Sequence, residues 1–188
     1  TSLVCKALVQ SIPRDHLPKR LQGYKVFDGP AFGRICCPDR VATLEGVIIP
    51  ALRKWAPAHA LKGGSFDSAW SKEFRTLHFA DGSWIQAMTY EMDLDKFGGA
   101  ALHWVGYDEP PPVAIRRECL GRLSQFEGSF EMFACTPLKV NTGWIRRSIY
   151  RRREDPEITV VRGSMHDNPT LDEKTKTHIL SQYQSDMW

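Results

Sequence analysis

Alternation runs the length of this chain and limits the folds open to it. Short apolar runs recur between segments with helical patterning. Strand-like runs fall at about 32–37 (FGRICC), 101–107 (ALHWVGY), 129–136 (SFEMFACT) and 157–162 (EITVVR). Helices are expected from the first residues (TSLVCKALVQSI), where Leu3, Ala7 and Leu8 share one side, and at about 40–55, 113–124, 143–152 and 170–185. In the last of these, Thr170 reads as the N-cap with Glu173 three residues on. Strands that alternate with helices pair in parallel, because only a crossover can return the chain to the same end of the sheet. The predicted fold is therefore α/β, a mainly parallel sheet with helices on both faces. One insertion breaks the pattern. EFRTLHF and SWIQAMTY flank Ala80-Asp81-Gly82, a strong hairpin signal within residues 73–90. A Pro- and charge-rich connection spans 13–31, and a polar link at 91–99 ends in Gly98-Gly99.

Composition excludes several classes. The 188 residues suit one domain with a sizeable core. Hydrophobic residues make up 42% and charged residues 25%, ordinary for a globular protein. A net charge of +3 does not argue for a nucleic-acid partner, so any such claim rests on local patches. No stretch approaches a membrane span or a secretory apolar segment, so no membrane partner is expected. The five cysteines (5, 36, 37, 119 and 135) are odd in number and lack CxxC spacing, which predicts reduced thiols. The six histidines show no HExxH or i, i+4 pairing, so the zinc patterns are missing. The chain opens on Thr1 in mid-helix, which predicts upstream sequence.

Residues 102–112, LHWVGYDEPPP, carry the chemistry. An apolar strand stops on Asp108 and Glu109, and three prolines turn the chain away. In open α/β sheets ligands bind beyond the carboxyl ends of the strands, where this pair is expected. An Asp followed by a Glu after an apolar strand is the Walker B pattern. The Asp holds the water shell of Mg²⁺, and the Glu orients or deprotonates the water that attacks the γ-phosphate of ATP. Acidic pairs at strand ends also form plain turns. A second strand end shifts the balance. EMFACTP is again apolar and ends in Thr136-Pro137. In RecA-like ATPases the strand beside Walker B ends in a small hydroxyl residue that senses the γ-phosphate.

IQAMTYEMDLDKFGGAALHWVGYDEPP, FEMFACTPLKVNTGW and VVRGSMHDNPTLDEKTKTHIL together resemble the ATPase domain of phage terminase large subunits, the motors that package DNA. The likeness covers most of the chain and is modest before residue 85. It implies a RecA-like P-loop NTPase core over residues 1–188, with ATP and Mg²⁺ as cofactors. It implies Asp108 for the metal, Glu109 as the catalytic carboxylate and Thr136 as the coupling residue. It places Asp167, Asn168 and Pro169 in the family's Asp-Asn-Pro segment, without a defined chemistry. The implied partners are double-stranded DNA, a portal protein, a small terminase subunit and further copies in a ring. The implied location is the cytoplasm of a bacterial host.

The departures are specific. No GxxxxGK[ST] loop occurs, and LKGGSF at 61–66 does not fit one. Thr1 would be that loop's last hydroxyl residue, touching nucleotide and metal, with the glycines and lysine upstream. Without the loop, residues 1–188 alone are expected to bind ATP weakly or not at all. Residues 1–188 offer no counterpart of the family's C-terminal nuclease domain. RRSIYRRRED holds five arginines. Helical spacing sets Arg146 near Tyr150 and Arg153, and Arg147 beside Arg151. Arg146, Arg147, Arg151 and Arg152 are candidates for DNA phosphates or a neighbouring subunit's nucleotide; a solvated face is the plainer reading. Arg34, Arg40, Arg116 and Arg117 are further candidates to act in trans. A DExx-type helicase fragment and a non-catalytic nucleic-acid-binding or assembly module are the alternatives.

Overall fold

A computed structural model describes residues 2–135, 143–163, 167 and 169–185. It divides into two units, Thr1–Lys139 and Val140–Trp188. The first unit holds a six-stranded sheet of order β2-β3-β4-β1-β5-β6. Its strands are β1 (Phe32–Cys37), β2 (Trp70–Ser71), β3 (Thr76–His78), β4 (Trp84–Thr89), β5 (Trp104–Asp108) and β6 (Phe130–Ala134). β4, β1, β5 and β6 are parallel neighbours, while β2 and β3 join antiparallel at the β4 side. The expected α/β architecture with one inserted hairpin is what the chain adopts. The hairpin closes where Asp81-Gly82 predicts. Gly82 sits at φ +91, and Asp81 Oδ1 accepts the Ser83 N–H at 2.9 Å.

Helices cover both faces. They are α1 (Ser2–Ser11), α2 (Lys19–Gln22), α3 (Ile49–Trp55), α4 (Phe66–Ala69) and α5 (Val113–Leu123). Successive strand residues point to opposite faces, and the core divides accordingly. Ile35, Cys37, Ile85, Ala87 and Trp104 pack with Leu3, Val4, Ala7 and Leu8 of α1 and Ala51 and Leu52 of α3. Cys36, Met88, Val105 and Tyr107 pack with Ile115, Cys119 and Leu123 of α5. The segment expected as one helix over 40–55 has two windings. Asp39 caps it, its Oδ1 accepting from Ala42 N at 2.7 Å, and residues Arg40–Ile48 wind as a π-helix before α3.

Two glycines let these layers close. In β1, Gly33 lies opposite Trp104, whose indole would stand 1.9 Å from an added Cβ. In β5, an added Cβ on Gly106 would meet Leu3 of α1 at 2.9 Å.

The second unit is helical among the described residues, with α6 (Gly143–Ser148), a 3₁₀ turn at Tyr150–Arg152 and α7 (Glu173–Ser185). The structure departs from three expectations. The strand at 157–162 does not form: Val161 is 90% exposed, and the described residues of this unit offer no strand to pair with. The helix over 143–152 ends at Ser148, because Ile149 leaves helical geometry at φ −121, ψ −65. The cap of the last helix is Asp172, not Thr170. Its Oδ1 accepts Thr175 N at 2.8 Å, and its Oδ2 accepts the Thr175 hydroxyl at 2.8 Å.

The Gly33–Trp104 contact makes a direct prediction. Gly33→Ala forces indole and backbone apart and destabilises by about 1–3 kcal/mol or more. Gly121→Ala, at an open position in α5, should instead stabilise by up to about 1 kcal/mol. Urea unfolding of both variants measures the pair.

Candidate functional site

β1 is the hub of the sheet's carboxyl edge. The next parallel strand in the chain, β4, lies on one side of it, and β5 lies on the other. The crossover direction reverses at β1, and in open α/β sheets the crevice for ligands lies at such a switch point. Register sets Cys37 of β1 beside Thr89 of β4, and Asp108 of β5 beside Ala134 of β6. Asp108 and Glu109 thus stand at the edge of that crevice, where the strand pattern places them.

Glu109 is held in an uncommon backbone. Its φ is +64, one of two positive values at non-glycine residues among the described residues. Its N–H donates to Ala134 O at 2.9 Å, tying the turn to β6. Its carbonyl accepts from the Tyr90 hydroxyl at 2.7 Å. Left-handed backbone at an L-residue costs about 1–2 kcal/mol. Stability alone does not select a glutamate there.

The surroundings are negatively charged. Burial pushes the Cys37 thiol up to about 12, and the carboxylates of Asp108, Asp39 and Glu91 add to the effect. Burial also raises Cys135, with a contribution from the charge on Glu109. The Thr43 hydroxyl, 2.7 Å from Asp39 Oδ2, holds the Asp39 carboxyl below the usual range. Several carboxylates therefore share one strand edge, and that field favours a cation. Among the described residues no group of three His, Cys, Asp or Glu side chains is placed to hold a metal by itself. Mg²⁺ in nucleotide sites takes one or two carboxylates, and phosphates and waters complete its shell. The hard oxygens of Asp108 fit an ion that arrives with a nucleotide; they do not fit a metal held by protein alone.

The other expected residues are distributed unevenly. Thr1, Thr136 and Asn168 lie outside the described residues. Ala134 and Cys135, which lead into Thr136, lie beside Asp108 and Glu109. Asp167 and Pro169 belong to the second unit. So do Arg146, Arg147, Arg151 and Arg152, all exposed. The break at Ile149 puts Arg146 and Arg147 on α6 but Arg151 and Arg152 on the 3₁₀ turn, so the expected continuous stripes do not form. Arg152 pairs with Asp155 at 2.5 Å, and Arg153 with Glu154 at 3.4 Å.

Two arginines proposed to act in trans are committed within the first unit. Arg34 is buried, donating to Phe97 O at 2.7 Å and to Gln86 Oε1 at 3.1 Å. Arg116 forks onto Glu131, its Nε 3.0 Å from Oε2. Arg40 pairs with Glu45 at 2.7 Å, while Arg117 is exposed and forms no ion pair among the described residues.

Sequence reasoning missed Tyr90, Asp39 and Glu91. No spacing marks them as neighbours of Asp108, because the pairing of β4, β1 and β5 brings them together. An apolar groove of about 870 Å³, lined by residues including Leu8, Trp55 and Phe130, lies toward the amino end of β6 and holds none of the acidic cluster.

No protein-family model matches this chain, and no curated protein matches it in sequence. Solved structures do match its shape. The large terminase from a thermophilic bacteriophage (crystal form 2) superposes with a TM-score of 0.65 at 15% identity, over 82% of this chain and 38% of that one. The same phage protein with ADP gives 0.61 at 16% identity, over 82% and 38%. With ATP-γ-S it gives 0.60 at 15% identity, over 82% and 37%. The chain thus has a terminase-like α/β fold and spans less than two-fifths of those structures. At such identity the likeness speaks to the fold. Among the described residues no helix is long and apolar enough to cross a membrane.

The strained turn gives a test of why the glutamate is there. Replacement by glycine usually costs about 0.5–1 kcal/mol, but glycine accepts φ > 0 freely. Glu109→Gly should leave stability unchanged or raise it by up to about 1 kcal/mol in urea unfolding. A clear loss would show that the side chain serves the fold.

Proposed function

We propose that this chain is the ATPase core of a terminase-type DNA-packaging motor. In this reading, ATP hydrolysis drives double-stranded DNA into a procapsid. The observation that carries the reading is the placement of Asp108 and Glu109 at the switch-point edge of the sheet, beside the end of β6. Asp108 would hold Mg²⁺ through its water shell, and Glu109 would orient the attacking water and take its proton. The metal, when bound with nucleotide, neutralises charge on the phosphates. Thr136, following directly on Cys135, passes the state of the γ-phosphate to the moving parts. Thr1 contributes a hydroxyl to nucleotide and metal as the end of a phosphate-binding loop. The partners in this reading are a portal protein, a small terminase subunit and further copies in a ring, in the cytoplasm of a bacterial host.

The reading has a simple first test. A GxxxxGK[ST] sequence encoded directly before Thr1 supports it, and a coding sequence without one overturns it. In a polypeptide that carries the loop, Glu109→Gln should keep nucleotide binding and lower turnover by roughly 10²–10⁴-fold. Asp108→Asn should also raise the Mg²⁺ concentration needed. Turnover at the parent rate in Glu109→Gln removes that residue as the catalytic carboxylate.

The arginines of the second unit separate two roles. If Arg147 or Arg151 contacts DNA phosphates, its alanine variant weakens binding to any sequence and lowers the salt slope by about one unit. If one reaches a neighbouring subunit's nucleotide, turnover falls on the order of 10³-fold with DNA affinity intact. Binding against salt and turnover, measured on the assembled motor, distinguish them. No change in either marks a solvated face.

A further inference from the structure

The acidic turn is built on Tyr90, the last residue of the hairpin segment, to which the sequence assigns no role in the site. Tyr90 follows β4, two strands from β5, yet its hydroxyl reaches across the end of β1. Three carbonyls converge on it: Glu109 O at 2.7 Å, Asp108 O at 3.1 Å and Cys36 O at 3.3 Å. A phenol has one proton to donate. The shortest contact, at the usual O–H···O distance, assigns that proton to Glu109. Burial raises the Tyr90 hydroxyl far above its ordinary value, so it stays a donor.

The platform beneath this hydroxyl is rigid. The Tyr90 N–H donates to Cys37 O at 2.9 Å, and the ring packs against the buried cluster of Cys36, Met88 and Tyr107. The side chain therefore starts from a fixed strand end and finishes on another. Glu109, at φ +64, is bonded on both sides: N–H to β6 and carbonyl to Tyr90. Removing either contact frees the turn to relax toward extended backbone, which would re-aim the carboxylate.

We infer that Tyr90 is the positioning residue of this site, holding Glu109 in its left-handed turn by a hydrogen bond to the Glu109 carbonyl across β1. The inference rests on the reading of Glu109 as the catalytic carboxylate. Tyr90 itself touches no reacting atom; its effect is transmitted through the backbone of the turn.

The test begins on the 188-residue chain. By NMR, Tyr90→Phe should keep the dispersed spectrum of the folded chain. The Glu109 Cα shift and three-bond HN–Hα coupling should lose their left-handed signature. In the unsubstituted chain, deuterium at the Tyr90 hydroxyl should shift the Glu109 carbonyl ¹³C resonance more than those of Asp108 and Cys36. This second measurement decides the matter if Tyr90→Phe does not fold. In the loop-bearing polypeptide, Tyr90→Phe should lower kcat about tenfold or more with little change in KM. Tyr90→Phe that keeps both the left-handed signature and kcat overturns the inference, as does the absence of an isotope shift at Glu109. Full turnover in Glu109→Gln is a separate result: it removes Glu109 as the catalytic carboxylate whatever Tyr90 does.

Discussion

The arrangement depends on β1 being paired in parallel on both sides. A strand so placed has no free edge and must be covered above and below, which fixes where the helices go. It also brings the ends of β4 and β5 within reach of each other. The close pairing requires Gly33, because the Trp104 indole occupies the space that any side chain there would need. Gly106 plays the same part for α1, where Leu3 comes down onto β5. The layers behind the carboxyl edge thus close on two residues without side chains.

From this follows the character of the site. Strand ends are where backbone pairing stops, so each must find other partners for its last polar groups. Here they find one another: Glu109 N with Ala134 O, Tyr90 N with Cys37 O, and the Tyr90 hydroxyl with Glu109 O. The acidic side chains Asp39, Glu91 and Asp108 are carried on the same three strand ends, β1, β4 and β5. Their proximity is what adds to burial in raising Cys37. Like charges so gathered destabilise one another unless a cation joins them. Under the proposed function, the metal that accompanies a nucleotide would be the cation that joins them.

Much of this was legible in the chain, for local reasons. Asp81-Gly82 encodes its turn by itself, since only a residue that accepts φ +91 serves at position 82. LHWVGYD announces a buried strand, and the prolines after Glu109 announce its end. What escaped depends on distant partners. EITVVR has the β-branched residues of a strand, yet with no strand to pair among the described residues of its unit it stays irregular. RRSIYRRR has helical spacing, yet Ile149 breaks it. Tyr90 read as the tail of a hairpin strand. Its role arises from the order of strands, which places β1 between it and its hydrogen-bond partner.

The basic residues of the first unit complete the electrostatic picture. Under the proposed function a nucleotide would bring phosphates to the crevice, and their charge would have to be met. Arg34 lies buried among backbone and amide oxygens, Arg116 is forked onto Glu131, and Arg40 is paired with Glu45. Each would have to break a hydrogen bond or an ion pair already made to serve a phosphate. The half-buried Arg116–Glu131 fork would be the costliest to open, since it leaves a carboxylate without its partner. Arg117 on α5 and Arg146, Arg147 and Arg151 of the second unit are exposed and in no ion pair among the described residues. Under the proposed function, an arginine not already satisfied would change partners as nucleotide or DNA comes and goes, as a motor would require of the charges that couple its parts.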